Sequence, residues 1–129
     1  MADKKKILII DDDPDIREVC RLVLERVGHA VVQAATGAEG RELVGKQRPD
    51  LIILDIMMEE ADAGFQTARW LAEKHPGIPV VMLSSIAESA EQLFDTSTLK
   101  LAELVNKPIA AKDLESTVQR LLARSGRGA

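Results

Sequence analysis

The chain has 129 residues, 46% of them hydrophobic and 29% charged, a balance that excludes intrinsic disorder and suits one domain with one core. A formal net charge of −4 argues against a nucleic-acid surface spread over the domain, and no apolar run reaches the roughly 18 residues of a membrane span. Aromatics are only 2%, so the core must be built from Val, Ile, Leu, Ala and Met. After the lysines of the first six residues, the apolar run Ile7 to Ile10 is too short for a signal-peptide core, and a cytoplasmic protein is expected. Cys20, the single cysteine, falls in a helical apolar pattern and reads as a buried structural thiol.

Ile7 to Ile10 is a continuous apolar run and predicts a strand buried on both faces. Asp13-Pro14 predicts an N-cap followed by Pro at the first helical position. Ile16, Val19, Cys20, Val23 and Val27 follow at helical spacing, with Gly28 as the stop. Ala30 to Ala34 is a second, weaker strand. Thr36-Gly37-Ala38-Glu39 is a capping box opening a helix that ends before Pro49. Leu51 to Leu54 is a third strand.

A polar loop from Glu59 to Ala63 leads to a helix carrying Phe65, Ala68, Leu71 and Ala72, closed by His75-Pro76-Gly77. Trp70 is expected as partly buried packing on that helix, and His29 and His75 as turn or surface residues. Val80 to Leu83 is a fourth strand. A helix near Glu88 to Phe94 and a loop with Thr96, Ser97 and Thr98 come next. Leu104-Val105 is a short fifth strand, and a last helix carries Leu114, Val118, Leu121 and Leu122. One domain over residues 1–124 is expected, with 125–129 as a frayed tail.

Strands alternating with helices predict a doubly wound α/β sheet covered on both faces. Ligands of such sheets bind beyond the carboxyl ends of the strands, where strand order reverses. Asp11 and Asp12 follow the first strand, Asp55 the third, Ser84 and Ser85 the fourth, and Lys107 the fifth. Asp13 is better explained as a helix cap than as a ligand.

If the first and third strands are neighbours, three carboxylates share one crevice. Two unit charges about 4 Å apart repel by roughly 4 kcal/mol at an effective dielectric of about 20. A hard divalent cation with oxygen ligands relieves that cost, and Mg²⁺ commonly works with one or two carboxylates, waters and a phosphate. Mg²⁺, the Ser84 hydroxyl and the Lys107 ammonium would give each oxygen of a transferring phosphoryl group a partner. Asp55 would then be the nucleophile.

The segments ILIIDDDP, LIILDIMM, PVVMLSS and NKP, in this order over nearly the whole chain, resemble the receiver domains of two-component response regulators. The resemblance implies a flavodoxin-like (βα)5 sandwich with a five-stranded parallel sheet in the order 2-1-3-4-5. It implies Asp55 as phosphoacceptor and metal ligand, Asp12 as a direct Mg²⁺ ligand and Asp11 as a ligand mainly through water. Met57 would offer its backbone carbonyl to the metal, Ser84 would be the switch hydroxyl, and Lys107 would hold a phosphoryl oxygen.

The implied partners are a histidine kinase or phosphotransfer protein, and a downstream protein or an output domain beyond this chain. No nucleic acid or membrane is expected at this domain, and a homodimer is left open. The implied role is a switch that assists its own phosphorylation and dephosphorylation rather than an enzyme. Some positions depart from the family pattern. Glu59 stands where the family has Pro, the loop from Asp55 to Gly64 is one residue longer, and Leu104 replaces a common aromatic. Met57 and Ile86 put apolar side chains where the family controls hydrolysis, which predicts a long-lived phosphorylated form.

Three other classes compete with this reading. A receiver-like binding module that no longer takes phosphate is consistent with Glu59 and the longer loop. A phosphohydrolase with an aspartyl nucleophile, of the haloacid dehalogenase type, wants an acid two residues after the nucleophile, but Met57 stands there after Asp55. Around Asp11 the acid is Asp13, but Pro14 and Asp15 break the rest of that pattern. A flavodoxin-like flavin carrier needs a phosphate loop after the first strand, and Asp11-Asp12-Asp13 would repel the phosphate.

Overall fold

A computed structural model describes residues 5–55, 63–84, 103–106 and 110–125. The strands are β1 (Lys6–Ile10), β2 (Ala30–Ala34), β3 (Leu51–Asp55), β4 (Val80–Ser84) and β5 (Glu103–Asn106). The helices among the described residues are α1 (Pro14–Arg26), α2 (Gly37–Gln47), α3 (Ala63–Lys74) and α4 (Ala111–Ser125). All strand pairs are parallel, in the order β2-β1-β3-β4, with β5 alongside β4. The helix expected near Glu88 to Phe94 and the loop from Thr96 to Thr98 lie outside the described residues, as do Met57, Glu59, Ile86 and Lys107.

Parallel strands covered on both faces need apolar side chains at nearly every position, and β1 and β3 have them. Successive residues alternate between the two faces. Ile7, Ile9, Leu51, Ile53, Val81 and Leu83 pack on one face with Cys20, Val23 and Leu24 of α1 and Leu114, Val118, Leu121 and Leu122 of α4. Leu8, Ile10, Ile52, Leu54, Val80 and Met82 pack on the other with Val44 of α2 and Ala68 and Leu71 of α3. Trp70 is partly buried against this second face.

The helix ends follow from local chemistry. Asp13 caps α1, its side chain accepting the Asp15 N–H at 2.9 Å. At the other end Gly28 takes φ +100°, the Gly28 N–H donates to Glu25 O at 3.0 Å and the His29 N–H to Leu24 O at 3.1 Å. These two bonds form a Schellman stop, which glycine adopts without a Cβ clash. Thr36 caps α2 by accepting the Glu39 N–H at 3.1 Å. The Glu39 carboxylate reaches one residue further back than a capping box requires, to the Ala35 N–H at 2.8 Å. Arg48 ends α2 in the left-handed region at φ 50°, just before Pro49.

The α1 face differs from the expected one. Val19 and Val27 are exposed, whereas Leu24, absent from the expected stripe, is fully buried. Cys20, Val23 and Leu24 are contiguous enough to form the buried stripe around a 3.6-residue turn, with Ile16 partly buried at its start. Asp55 and Ser84 belong to their strands rather than following them, and α3 takes in Ala63, expected as the end of the loop. Cys20 is buried as expected. His29, expected in a turn or at the surface, directly follows the Gly28 turn and is half-buried.

Candidate functional site

The chain runs from β1 outward to β2 and then returns across β1 to form β3, so the order reverses between β1 and β3. Such a reversal leaves room for a ligand beyond the carboxyl ends of the two strands in sheets of this kind. Ile10 is in register with Leu54. The next residues outward are Asp11 and Asp55, which share strand parity with Ile7, Ile9, Leu51 and Ile53. Each thus continues an apolar column, and Asp11 and Asp55 are 1% and 3% exposed.

Asp12, in the loop leaving β1, is exposed. One carboxylate oxygen from each of Asp11, Asp12 and Asp55 lies within 4.8 Å of the others. Two oxygens on one Mg²⁺ at about 2.1 Å stand about 3 Å apart when adjacent and about 4.2 Å when opposite. The spacing, the all-oxygen donor set and the concentrated negative charge therefore fit a small hard dication.

Asp11 is held on three sides. Its N–H donates to Ala34 O of β2 at 3.1 Å. Its carboxylate accepts the Asp13 N–H at 2.9 Å. Its carbonyl accepts from Arg17 Nη1 at 2.6 Å, and Arg17 Nε donates to Gln33 Oε1 of β2 at 3.1 Å. Arg17 and Gln33 were not singled out from the sequence. The available signal was positional, since helix side chains lean toward the N-terminus and an Arg in the first turn leans over the preceding loop.

Ser84 ends β4 in register with Asn106, one strand position beyond the Asp55–Leu83 pair. That backbone register sets position 84 and Asn106 at the same end of the sheet as the three acids. The Ser84 side chain, Met57 and Lys107 lie outside the described residues. Asp13 acts as the cap that the sequence suggests.

Residues 7–119 match the family model of the response regulator receiver domain, and the chain belongs to that family, whose members serve as signalling switches in two-component systems. Among curated relatives, the DNA-binding dual master transcriptional regulator RpaA of Synechocystis sp. is 35% identical over 126 residues, covering 95% of this chain and 51% of its own length. The chain spans about half the length of the curated relatives it matches. Among solved structures, the receiver domain of NtrX from Brucella abortus is 27% identical with a TM-score of 0.81, over 91% of this chain and 98% of its own.

A CheY-like receiver domain protein from Methanospirillum hungatei is 24% identical with a TM-score of 0.89, covering 98% of this chain and 100% of its own. That likeness shows the fold, a flavodoxin-like α/β arrangement with a parallel sheet. No helix among the described residues is long and apolar enough to cross a membrane.

Proposed function

We propose that the domain is a Mg²⁺-dependent phosphoacceptor that carries a phosphoryl group on Asp55. The observation that supports this best is the meeting of Asp11, Asp12 and Asp55 at the point where strand order reverses. Asp55 is buried at the tip of a central strand, which restricts the freedom of its carboxylate. A carboxylate oxygen of Asp55 forms a bond to phosphorus as the bond from phosphorus to the donor's imidazole nitrogen breaks, and the released imidazole takes up a proton. Asp12 and Asp55 would hold Mg²⁺ directly, Asp11 mainly through water, and Met57 through its backbone carbonyl. The ion, when bound, offsets the charge on the carboxylates and the phosphoryl oxygens.

Ser84 and Lys107 complete the proposal, each taking one phosphoryl oxygen. Their differential contacts with the phosphate would bias two conformations and so change a protein-binding surface. In this reading the domain is a full (βα)5 sandwich over residues 1–124, with the expected boundary falling one residue before Ser125, where α4 ends. It acts in the cytoplasm, receives its group from a histidine kinase or phosphotransfer protein, and signals to a protein partner or to an output domain in a longer chain. It is a switch assisting its own phosphorylation and dephosphorylation rather than a turnover enzyme.

The test is incubation with acetyl phosphate and Mg²⁺ followed by intact-mass measurement. The wild type should gain one phosphoryl group, and Asp55→Asn should gain none. A wild type that gains nothing would leave a receiver-like binding module.

A further inference from the structure

We propose that Arg17 is a positioning residue for the metal site: it sets the β1–α1 acidic loop by tying the Asp11 carbonyl to Gln33 of β2. The inference rests on the Mg²⁺ reading above.

Arg17 lies in the first turn of α1, where the helix dipole disfavours a cation. The side chain is half-buried and makes two directed bonds rather than extending into water. One guanidinium nitrogen donates to the Asp11 carbonyl at 2.6 Å, and another donates to the Gln33 amide oxygen at 3.1 Å. The Asp11 N–H is meanwhile bound to Ala34 O. Both backbone polar groups of Asp11 are thus tied to β2, one directly and one through Arg17. The only freedom left in the loop's first residue is its side chain, and that is held by the Asp13 N–H. Asp12 follows immediately, so the direction in which its exposed carboxylate leaves the strand depends on where the Asp11 carbonyl is fixed.

Two effects of Arg17 on a bound dication have opposite signs. Its positive charge repels the ion, so on Coulomb grounds alone its removal would tighten Mg²⁺ binding. Its two hydrogen bonds preorganise the ligands, so on positioning grounds removal would weaken binding. Half-exposed charges near water are strongly screened, whereas outer-shell hydrogen bonds that orient metal ligands are worth about 10–100-fold in affinity. Positioning should win.

The experiment is calorimetric titration of Mg²⁺ into metal-free wild type, Arg17→Ala, Arg17→Lys and Gln33→Ala, with melting in EDTA beside each. Arg17→Ala should bind Mg²⁺ about tenfold more weakly. Arg17→Lys keeps the charge but not the two-pronged geometry and should fall between the two. Gln33→Ala leaves every charge in place and should still weaken binding, by less than Arg17→Ala does.

Arg17→Ala binding as tightly as the wild type, or more tightly, would overturn the proposal, and so would variants that melt lower with unchanged affinity. If Arg17→Ala does not fold, Gln33→Ala decides by the same criterion. A wild type with no affinity for Mg²⁺ would instead sink the metal reading itself.

Discussion

Gly40 of α2 rests directly on Ile10 of β1: a Cβ built on Gly40 would come within 2.4 Å of Ile10 Cδ1 and 2.8 Å of Ile10 Cγ1. Ile10 is fully buried and adjoins Asp11, so the helix contact braces the strand one residue before the acids. Replacing Gly by Ala inside a helix ordinarily gains about 1 kcal/mol, but forcing a methyl into a packed core costs about 1–3 kcal/mol. Gly40→Ala should therefore be net destabilising, by up to about 2 kcal/mol in urea unfolding. Ile10→Val removes Cδ1, the nearest of these atoms, but keeps the γ carbons, so in that background the Gly40→Ala penalty should be smaller without vanishing. An equal penalty in both backgrounds would refute the contact.

Asp12 is exposed and clusters with two buried acids. In EDTA, Asp12→Asn removes like-charge repulsion and should match or exceed the wild type in stability by up to about 1 kcal/mol. In Mg²⁺ the order should reverse. Binding to the folded state alone stabilises it by about 2.7 kcal/mol at about 100 times the dissociation constant, and the variant should lose most of that gain. Melting curves with and without Mg²⁺ check both halves; an unchanged Mg²⁺ increment in Asp12→Asn would remove Asp12 from the site.

His29 gives stability a pH dependence. Burial pushes its imidazole below the usual range; the nearby Asp50 carboxylate opposes this and Lys5 adds to it. The unfolded chain therefore takes up a proton near pH ~6.5 that the folded chain still refuses. Stability should fall as pH drops from ~6.5 through the lowered folded value, and be insensitive to His29 above that window. His29→Gln should flatten the urea midpoint against pH between about 7 and 5. A parallel decline in wild type and variant would assign the effect elsewhere.

The apolar residues Met57 and Ile86 lead to the expectation of a slowly hydrolysed phosphoryl group. After donor removal, intact mass should show the phosphorylated form persisting for many minutes. Replacing Met57 and Ile86 with Asn and Glu should shorten that time by admitting and orienting water. Loss within seconds from the wild type would discard the idea.

Much of this was legible in the residues. Continuous apolar runs at Ile7 to Ile10 and Leu51 to Leu54 announce strands buried on both faces, and the structure buries every one of those side chains. The acids could be read as convergent because they stand at the ends of strands that the sheet makes adjacent, a relation fixed by topology rather than spacing. Val19 misled because hydrophobic spacing alone gives a stripe without its centre; packing against α4 and the sheet selects Cys20, Val23 and Leu24 instead. The Arg17–Gln33 link was illegible because it joins a helix and a strand 16 residues apart through side-chain atoms, which no periodicity encodes.

The division of the interior into two packed faces has a practical consequence for anyone watching this molecule. Its single indole, Trp70, belongs to the side shared by α2 and α3, tilted against the His75 ring at a centroid distance of 5.2 Å. Ultraviolet emission therefore samples one hemisphere. Loosening of α1 or α4 would leave the glow unaltered while ellipticity or amide exchange already registered the change, and disagreement between such probes would map which side gives way first.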